Sequence, residues 1–308
     1  MRVRPSMQRS VTALAVVVAV AVTATVGILL SMSRNDDPVA TSGSSGAGSS
    51  ATAPRAPVYA ALGSSFAAGP GSGEVVDRRC MRTADNYPHR VAEALGLALT
   101  DLTCSGSKAA ELVAGSAPSA VRHRPAQVPR VPSDAALVTI TSGGNDLNYV
   151  GRMIASACQN LRVAGVRNCG SGRVPAPPPS EAAYSRLEKT LVGVVEAVRK
   201  RAPRATVALV DYAPVAAIDA PPCERLPLLP WEVAETVTVA DRMSRINARV
   251  ANRTGAVHVS TAGAAAEHGV CGPAPWVRGV DGKFMLHPDA AGKAGIADLV
   301  TAALRPQI

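Results

Sequence analysis

Five short apolar runs recur along the chain, and longer segments with helical patterning separate them. The runs are rich in Val, Leu, Ala and Thr and show no regular alternation with polar residues, which is typical of parallel strands buried on both faces. The pattern therefore predicts five strands. They cover residues 58–63, 97–103, 135–141, 206–212 and 256–260.

Helices are predicted between these strands. The clearest covers residues 180–201, where apolar side chains recur at helical spacing and most charged residues fall on the opposite face. Weaker helical patterns cover residues 86–95, 147–157, 233–252 and 288–304. The last of these begins with Pro288, which suits a first turn.

Strands that alternate with helices imply right-handed crossovers and one open, mostly parallel sheet with helices on both faces. Sites in such sheets lie at the carboxyl ends of the strands. Two Pro/Gly-rich connections, residues 162–179 and 213–230, are long for a compact domain. We expect them to form walls of a substrate site.

The amino-terminal region reads as an export segment. Three arginines precede residues 11–32, which contain no charge. This run exceeds the apolar core of a secretory signal and is long enough to cross a bilayer. It favours an uncleaved anchor over a cleaved signal within residues 1–32, with the amino terminus inside.

Residues 33–57 are rich in Ser, Gly, Ala and Pro, and this composition predicts a disordered linker. One domain, residues 58–308, follows. We therefore expect an extracytoplasmic protein that contacts the membrane through its first segment, or a secreted protein if that segment is cleaved.

The net charge narrows the choice of partners only slightly. A formal charge of +9 is compatible with an anionic surface, and the stretch VRHRPAQVPR, residues 121–130, is locally basic. Only 3% of residues are aromatic, and no basic run is interleaved with stacking rings. We expect a monomer that binds no nucleic acid.

Six cysteines lie beyond the linker, at positions 80, 104, 158, 169, 223 and 271. An even count in an exported chain favours three disulfides, and no Cys or His spacing suits zinc. Six cysteines allow 15 connectivities. Sequential pairing closes local loops and is the arrangement we expect: Cys80–Cys104, Cys158–Cys169 and Cys223–Cys271.

Candidate chemistry follows the predicted strand ends. The first strand leads into GSSFAAG, the second into CSG, the third into GGND, and HP occurs near the end of the chain. A serine becomes a nucleophile when an imidazole takes its proton, and the tetrahedral oxyanion needs fixed donors. A serine hydroxyl, a histidine imidazole, an asparagine amide and a glycine N–H are therefore groups that could catalyse acyl transfer.

These four blocks, in this order, resemble those of the SGNH hydrolases, also called GDSL esterases/lipases. The six-cysteine layout is similar to the secreted actinobacterial branch. The resemblance covers about residues 58–304 and implies a flavodoxin-like three-layer α/β/α fold with a mostly parallel five-stranded sheet. It also implies no metal or other cofactor.

Carried over by position, the resemblance makes Ser65 the nucleophile and His287 the general base and acid. The oxyanion hole would comprise the N–H groups of Ser65 and Gly106 and the side-chain amide of Asn145. Ser64 stands where the family usually has Asp. Many members also have Asp three residues before the histidine, where this chain has Phe284. Either the Phe284 backbone carbonyl or Asp281 is then expected to orient His287.

Other residues compete for these roles. Ser64 is the rival nucleophile by register, and the other histidines are His89, His123, His258 and His268. Asn145 has an alternative as a helix cap, and Asp146 is expected to be one. Two tryptophans in or beside the long loops, Trp231 and Trp276, are either substrate walls or loop anchors.

The sequence as a whole predicts an exported serine esterase or lipase that hydrolyses small-molecule or lipid carboxylic esters through an acyl-enzyme. Two alternatives remain open at this point. The same residues would serve a cell-envelope carbohydrate O-deacetylase. The absent Asp at position 284 would also suit a non-catalytic envelope-binding protein that retains the fold.

Overall fold

A computed structural model describes residues 55–165 and 174–307 of the chain. The predicted membrane segment and nearly all of the predicted linker lie outside the described residues. The compact unit that contains the sheet runs from Ala53 to Ile308. Every residue of the hydrophobic core lies between Val58 and Leu304, so this unit holds the whole core that the structure describes.

A five-stranded parallel sheet forms the centre of the domain, in the order β4-β1-β5-β6-β7. A two-stranded antiparallel hairpin, β2-β3, stands apart from it. The strands are β1 (Val58–Gly63), β2 (Val75–Asp77), β3 (Arg82–Thr83), β4 (Ala98–Asp101), β5 (Ala135–Thr141), β6 (Thr206–Val210) and β7 (Val257–Val259). All five predicted strands form and the parallel sheet is confirmed, whereas the hairpin was not predicted.

The helices form two groups that flank the sheet, one in which α2 packs on α8 and one in which α4 and α5 pack on α6. They are α1 (Ser65–Ala68), α2 (Tyr87–Leu95), α3 (Glu111–Ala114), α4 (Tyr149–Val163), α5 (Glu181–Arg201), α6 (Pro230–Thr254), α7 (Ala265–His268) and α8 (Ala290–Leu304). The prediction that Pro288 occupies the first turn of the last helix is wrong. Asp289 caps α8 instead, accepting a hydrogen bond from the Gly292 N–H at 3.0 Å, so Pro288 precedes the cap.

Apolar composition explains the position of the sheet. All six residues of β1 are buried, and β5 and β6 are buried along nearly all of their length. The apolar face predicted for α5 packs into the same core through Leu187, Leu191 and Val198. The carboxyl ends of β4, β1 and β5 are therefore held side by side by a continuous apolar layer.

Two disulfides, Cys80–Cys104 and Cys223–Cys271, join segments that lie outside the strands and helices, and the first of them is buried. They are two of the three pairs that sequential pairing predicts. The third predicted pair includes Cys169, which lies outside the described residues. Across residues 55–165 and 174–307, the helices are too short or too polar to span a bilayer.

Candidate active site

The turn after β1 presents Ser65 at the carboxyl edge of the sheet. Gly63 has φ of +142°, and a Cβ at this position would approach the Thr141 carbonyl oxygen to 2.4 Å, so only glycine fits. The Ser64 N–H donates to the same carbonyl oxygen at 3.0 Å. Ser65 then begins α1 and remains partly exposed, while Phe66 behind it is buried. The Ser65 hydroxyl is therefore accessible, and the turn that carries it is fixed by a backbone hydrogen bond to β5.

Ser64, the residue that replaces the usual Asp, is completely buried and is not the exposed hydroxyl of the pair. Its Oγ lies 2.8 Å from the Tyr212 hydroxyl, which also accepts a hydrogen bond from the Gly144 N–H at 3.1 Å. Burial raises the pKa of Tyr212 to about 12, so the hydroxyl stays neutral. Tyr212 therefore ties the turn after β1 to the turn after β5.

Gln127 provides a second fixed support that the sequence patterns did not reveal. Its buried side-chain amide pairs with both the N–H group and the C=O group of Gly63. Oε1 accepts from the Gly63 N–H at 2.8 Å, and Nε2 donates to the Gly63 carbonyl oxygen at 3.0 Å. The same Nε2 lies 3.3 Å from the Ser107 hydroxyl. Gln127 thus couples the turn at Ser65 to the loop that contains Gly106.

His287 lies against Ser65 although 222 positions separate them in the chain. The distance from His287 Nε2 to Ser65 Oγ is 2.8 Å, and Nδ1 lies 2.8 Å from the Met285 carbonyl oxygen. A proton on Nδ1 would leave Nε2 free to accept the serine proton. The pair therefore has the geometry of a nucleophile and its base.

The carbonyl group that faces the His287 ring corrects the expectation from the sequence. It belongs to Met285, not Phe284, because the Phe284 carbonyl oxygen accepts from the His287 backbone N–H at 3.3 Å. Phe284 and Leu286 have left-handed backbone conformations, with φ of +58° and +56°. These conformations turn the Met285 carbonyl group towards the His287 ring. In the described part of the chain, neither Asp281 nor any other carboxylate lies within hydrogen-bonding distance of the ring.

Burial lowers the pKa of His287 below its ordinary value, since it disfavours the charged imidazolium. The hydrogen bonds to backbone carbonyl oxygens oppose this effect, and the positive charge of Arg278 adds to it. His287 is consequently neutral at neutral pH and able to accept a proton.

The two other candidate oxyanion donors belong to loops on either side of β1. The Gly106 N–H has no protein acceptor within the described parts of the chain. One proton of the Asn145 amide is donated to the Ser107 carbonyl oxygen at 3.0 Å, which leaves its second proton free. The loops after β4 and β5 are thus joined next to the turn that carries Ser65.

Asp146 does not cap the following helix, which corrects the sequence prediction. Its carboxylate accepts from the Ala109 N–H at 3.0 Å, whereas Asn148 occupies the N-cap of α4. Burial raises the pKa of Asp146, and the hydrogen bond from Ala109 opposes that effect. Asp146 and Asn145 therefore both fasten the loop after β4. Asn145 makes no side-chain cap of α4.

The other histidines have contacts elsewhere. His89 pairs with Asn86 at 2.7 Å, and His258 Nε2 lies 3.0 Å from a carboxylate oxygen of Asp211. His268 donates through Nδ1–H to the Ala274 carbonyl oxygen, 2.7 Å away, and stacks on Trp276. The fourth, exposed His123, lines a surface cavity.

The tryptophans differ in their surroundings. The Trp276 ring and backbone occupy the space that a Cβ on Gly292 or Gly295 of α8 would need, so Trp276 anchors its loop on that helix. Trp231 in α6 is 61% exposed. Among residues 55–165 and 174–307, no group of three or more His, Cys, Asp or Glu side chains has the arrangement of a metal site.

Comparisons with known proteins identify the family of the chain. A model of the GDSL-like lipase/acylhydrolase family matches residues 61–294. Lipase 2 of Streptomyces coelicolor is 31% identical over 258 residues, which are 78% of this chain and 83% of that lipase. Lipase 1 of the same organism is 26% identical over 250 residues, 77% of this chain and 82% of that protein.

Solved structures show the same fold. The extracellular lipase from Streptomyces rimosus superimposes with a TM-score of 0.63 at 26% identity, covering 80% of this chain and 100% of that one. Phospholipase A1 from Streptomyces albidoflavus NA297 superimposes with a TM-score of 0.63 at 24% identity, covering 80% of this chain and 99% of that one. The predicted SGNH fold and family are thereby confirmed. The chain belongs to the GDSL-like lipase/acylhydrolase family and is a carboxylic ester hydrolase.

Proposed function

We propose that Ser65 and His287 hydrolyse carboxylic esters of lipids or small molecules through a covalent acyl-enzyme. The observation that carries this proposal is the 2.8 Å distance between Ser65 Oγ and His287 Nε2, on a buried turn next to unpaired N–H donors. The Streptomyces coelicolor relative, named a lipase, supports an ester of a lipid as substrate.

In the first half of the reaction, Ser65 Oγ attacks the ester carbonyl carbon and its proton passes to His287 Nε2. The N–H groups of Ser65 and Gly106 and the free Asn145 amide proton stabilise the oxyanion. When the C–O bond to the alcohol breaks, His287 donates its proton to the departing oxygen. The product is the acyl-Ser65 ester and a free alcohol.

In the second half, His287 removes a proton from water, and the resulting hydroxide attacks the acyl carbon. Collapse of the tetrahedral intermediate releases the carboxylic acid and returns the proton to Ser65. The Met285 carbonyl group holds the imidazole in the required tautomer throughout. This pair acts as a Ser-His dyad, since the position of the usual third carboxylate is Phe284.

We further propose that residues 58–308 are an exported hydrolase domain, preceded by a linker at 33–57 and an export or anchor segment at 1–32. Two disulfides support an oxidising compartment. The similar Streptomyces rimosus protein is named an extracellular lipase, which supports the same location.

The test uses residues 53–308 with p-nitrophenyl esters of graded acyl length. Ser65→Ala and His287→Ala are expected to lower kcat by several orders of magnitude. The matched control is Ser133→Ala, an exposed serine before the amino end of β5, at the opposite edge of the sheet from the site. Labelling by a fluorophosphonate should map to Ser65 by mass spectrometry. Full activity in Ser65→Ala, or a label at Ser64, would contradict the assignment.

A further inference from the structure

A cluster of basic residues remains outside the proposed reaction. Arg78, Arg79, Arg122 and His123, together with Met81, line an open surface cavity of about 510 Å³. All four basic side chains are exposed, and no carboxylate in the described ranges lies within salt-bridge distance of them. Asp77 lies near Arg79 without pairing with its guanidinium, so the cavity keeps an excess of positive charge.

Both sides of this cavity are attached to the loop that holds Gly106. On one side, Cys80 is bonded to Cys104, and its carbonyl oxygen accepts from the Ser105 N–H at 3.0 Å. On the other side, Arg124 lies next to Gly106, where an added Cβ would approach Arg124 Cδ to 3.7 Å. The basic cavity is thus adjacent to the proposed oxyanion loop.

Arg124 also contacts the segment that lines the cavity. Arg124 donates to the Arg122 carbonyl oxygen at 3.1 Å, and its guanidinium pairs with both oxygens of the Glu111 carboxylate at 2.8 Å. The segment that carries Arg122 and His123 therefore has a fixed attachment point.

Exposed valines accompany the arginines in both segments. Val75 and Val76 are 45% and 53% exposed and precede Arg78, while Val121 is fully exposed and precedes Arg122. Arginines beside exposed apolar side chains match a lipid surface, because headgroup phosphates accept from guanidinium groups while apolar side chains enter the acyl boundary.

We propose that residues 75–81 and 121–123 form a docking surface for anionic lipid membranes. The occupant is the headgroup layer of a bilayer, and the surface positions the proposed oxyanion loop next to the ester bonds of the lipid. This inference extends the proposed hydrolysis but concerns binding, and it can be tested without hydrolysis. It also accounts for Arg122 and His123 in the basic stretch at residues 121–130 and for part of the net charge.

The test measures binding of residues 53–308, the unit that holds the described core, to sedimented large unilamellar vesicles. This unit omits residues 11–32, for which the sequence predicts membrane contact, so any binding measured comes from the domain itself. Vesicles consist of ether-linked phosphatidylcholine alone or with 30% ether-linked phosphatidylglycerol, so no carboxylic ester is present to be hydrolysed. Tighter binding to the anionic vesicles is expected.

Each arginine near an anionic surface contributes roughly a factor of five to partitioning, so removal of three should weaken binding roughly 100-fold. The test variant replaces the cavity arginines by glutamine: Arg78→Gln, Arg79→Gln and Arg122→Gln. The matched control removes three exposed positive charges from α5 and α6: Arg186→Gln, Lys200→Gln and Arg245→Gln. We expect the control to retain most of the binding. Circular dichroism checks that both variants are folded.

Equal weakening in the test variant and the control would overturn the proposal, because net charge alone would then explain binding. Equal affinity for neutral and anionic vesicles would also overturn it. So would release by a few millimolar inorganic phosphate that sodium chloride of equal ionic strength does not reproduce, since the cavity would then be a pocket for free phosphate. We expect the test variant to hydrolyse p-nitrophenyl butyrate at the wild-type rate. A loss of vesicle binding can then be distinguished from a failure of the proposed mechanism.

Discussion

Replacing Tyr212 by phenylalanine tests whether the turn around Ser65 is held from across the sheet. The change removes one hydroxyl and leaves two buried groups without a partner, the Ser64 hydroxyl and the Gly144 N–H. The phenylalanine ring would keep the contact with Phe66, whose ring centroid lies 4.4 Å away. The loss therefore comes from hydrogen bonding and not from packing.

The magnitude follows from these two groups. A buried polar group without a partner costs about 1–3 kcal/mol, so the two groups together should lower the free energy of unfolding of Tyr212→Phe by about 2–6 kcal/mol. For a domain of this size, that corresponds to a decrease in Tm of about 4–24 °C. Because the turn also carries Ser65, we expect kcat/KM for a p-nitrophenyl ester to fall about 10- to 100-fold.

The assay combines thermal unfolding with steady-state kinetics. Tyr149→Phe is the matched control, because Tyr149 is also buried beside Tyr212 but its hydroxyl makes no hydrogen bond within the described residues. Ser64→Ala and the double variant complete a cycle in which the two losses should not add. If Tyr212→Phe and Tyr149→Phe had the same Tm and activity, the proposed support of the turn would be refuted.

Three further predictions address the histidine, a buried ion pair and the oxyanion donor. The lowered pKa of His287 predicts that kcat/KM rises with pH through an acid limb centred below about 6.5 and is level at neutral pH, because only the neutral ring accepts the proton of Ser65. Lys293→Met should lower the free energy of unfolding in urea by about 2–4 kcal/mol, since it leaves the Asp85 carboxylate, 2.6 Å from Lys293 Nζ, without its cation. Asn145→Ala should lower kcat by about 100- to 1,000-fold with a small change in KM.

Each of these predictions has a result that would contradict it. An acid limb centred above pH 7 would contradict the lowered pKa of His287. For the ion pair, the double variant Asp85→Asn/Lys293→Met should recover part of the lost stability, and a further loss would contradict the pairing argument. Asn145→Ala with kcat within threefold of wild type would remove Asn145 from the oxyanion hole.

Local patterns in the sequence were sufficient to predict the strands of the central sheet. Strands such as β1 and β5 are long, apolar and buried, so their composition identifies them. The hairpin β2-β3 was missed because its strands have three and two residues and the first is largely exposed. Neither length nor apolar content distinguishes such a hairpin from a loop.

The site was predictable where a residue type has a chemical role and unpredictable where its role depends on a distant partner. Serine, histidine and asparagine could be named from chemistry and family resemblance. Gln127 and Tyr212 support the turn from 64 and 148 positions away, and no local pattern indicates such contacts. Met285 was missed because left-handed conformations at Phe284 and Leu286, rare for these residue types, decide which carbonyl group faces the ring.

If Ser65 and His287 act as proposed, their separation of 222 positions makes hydrolysis a measure of complete folding. The histidine follows all five strands of the sheet and lies directly before α8, so a growing polypeptide cannot form the pair until every strand of the sheet has been synthesised. A contact between such distant residues also forms only after the intervening strands have assembled into the sheet. Under the proposed mechanism, chains truncated before His287 are expected to be inert towards esters. The recovery of activity during refolding therefore reports the last step of assembly and not the first.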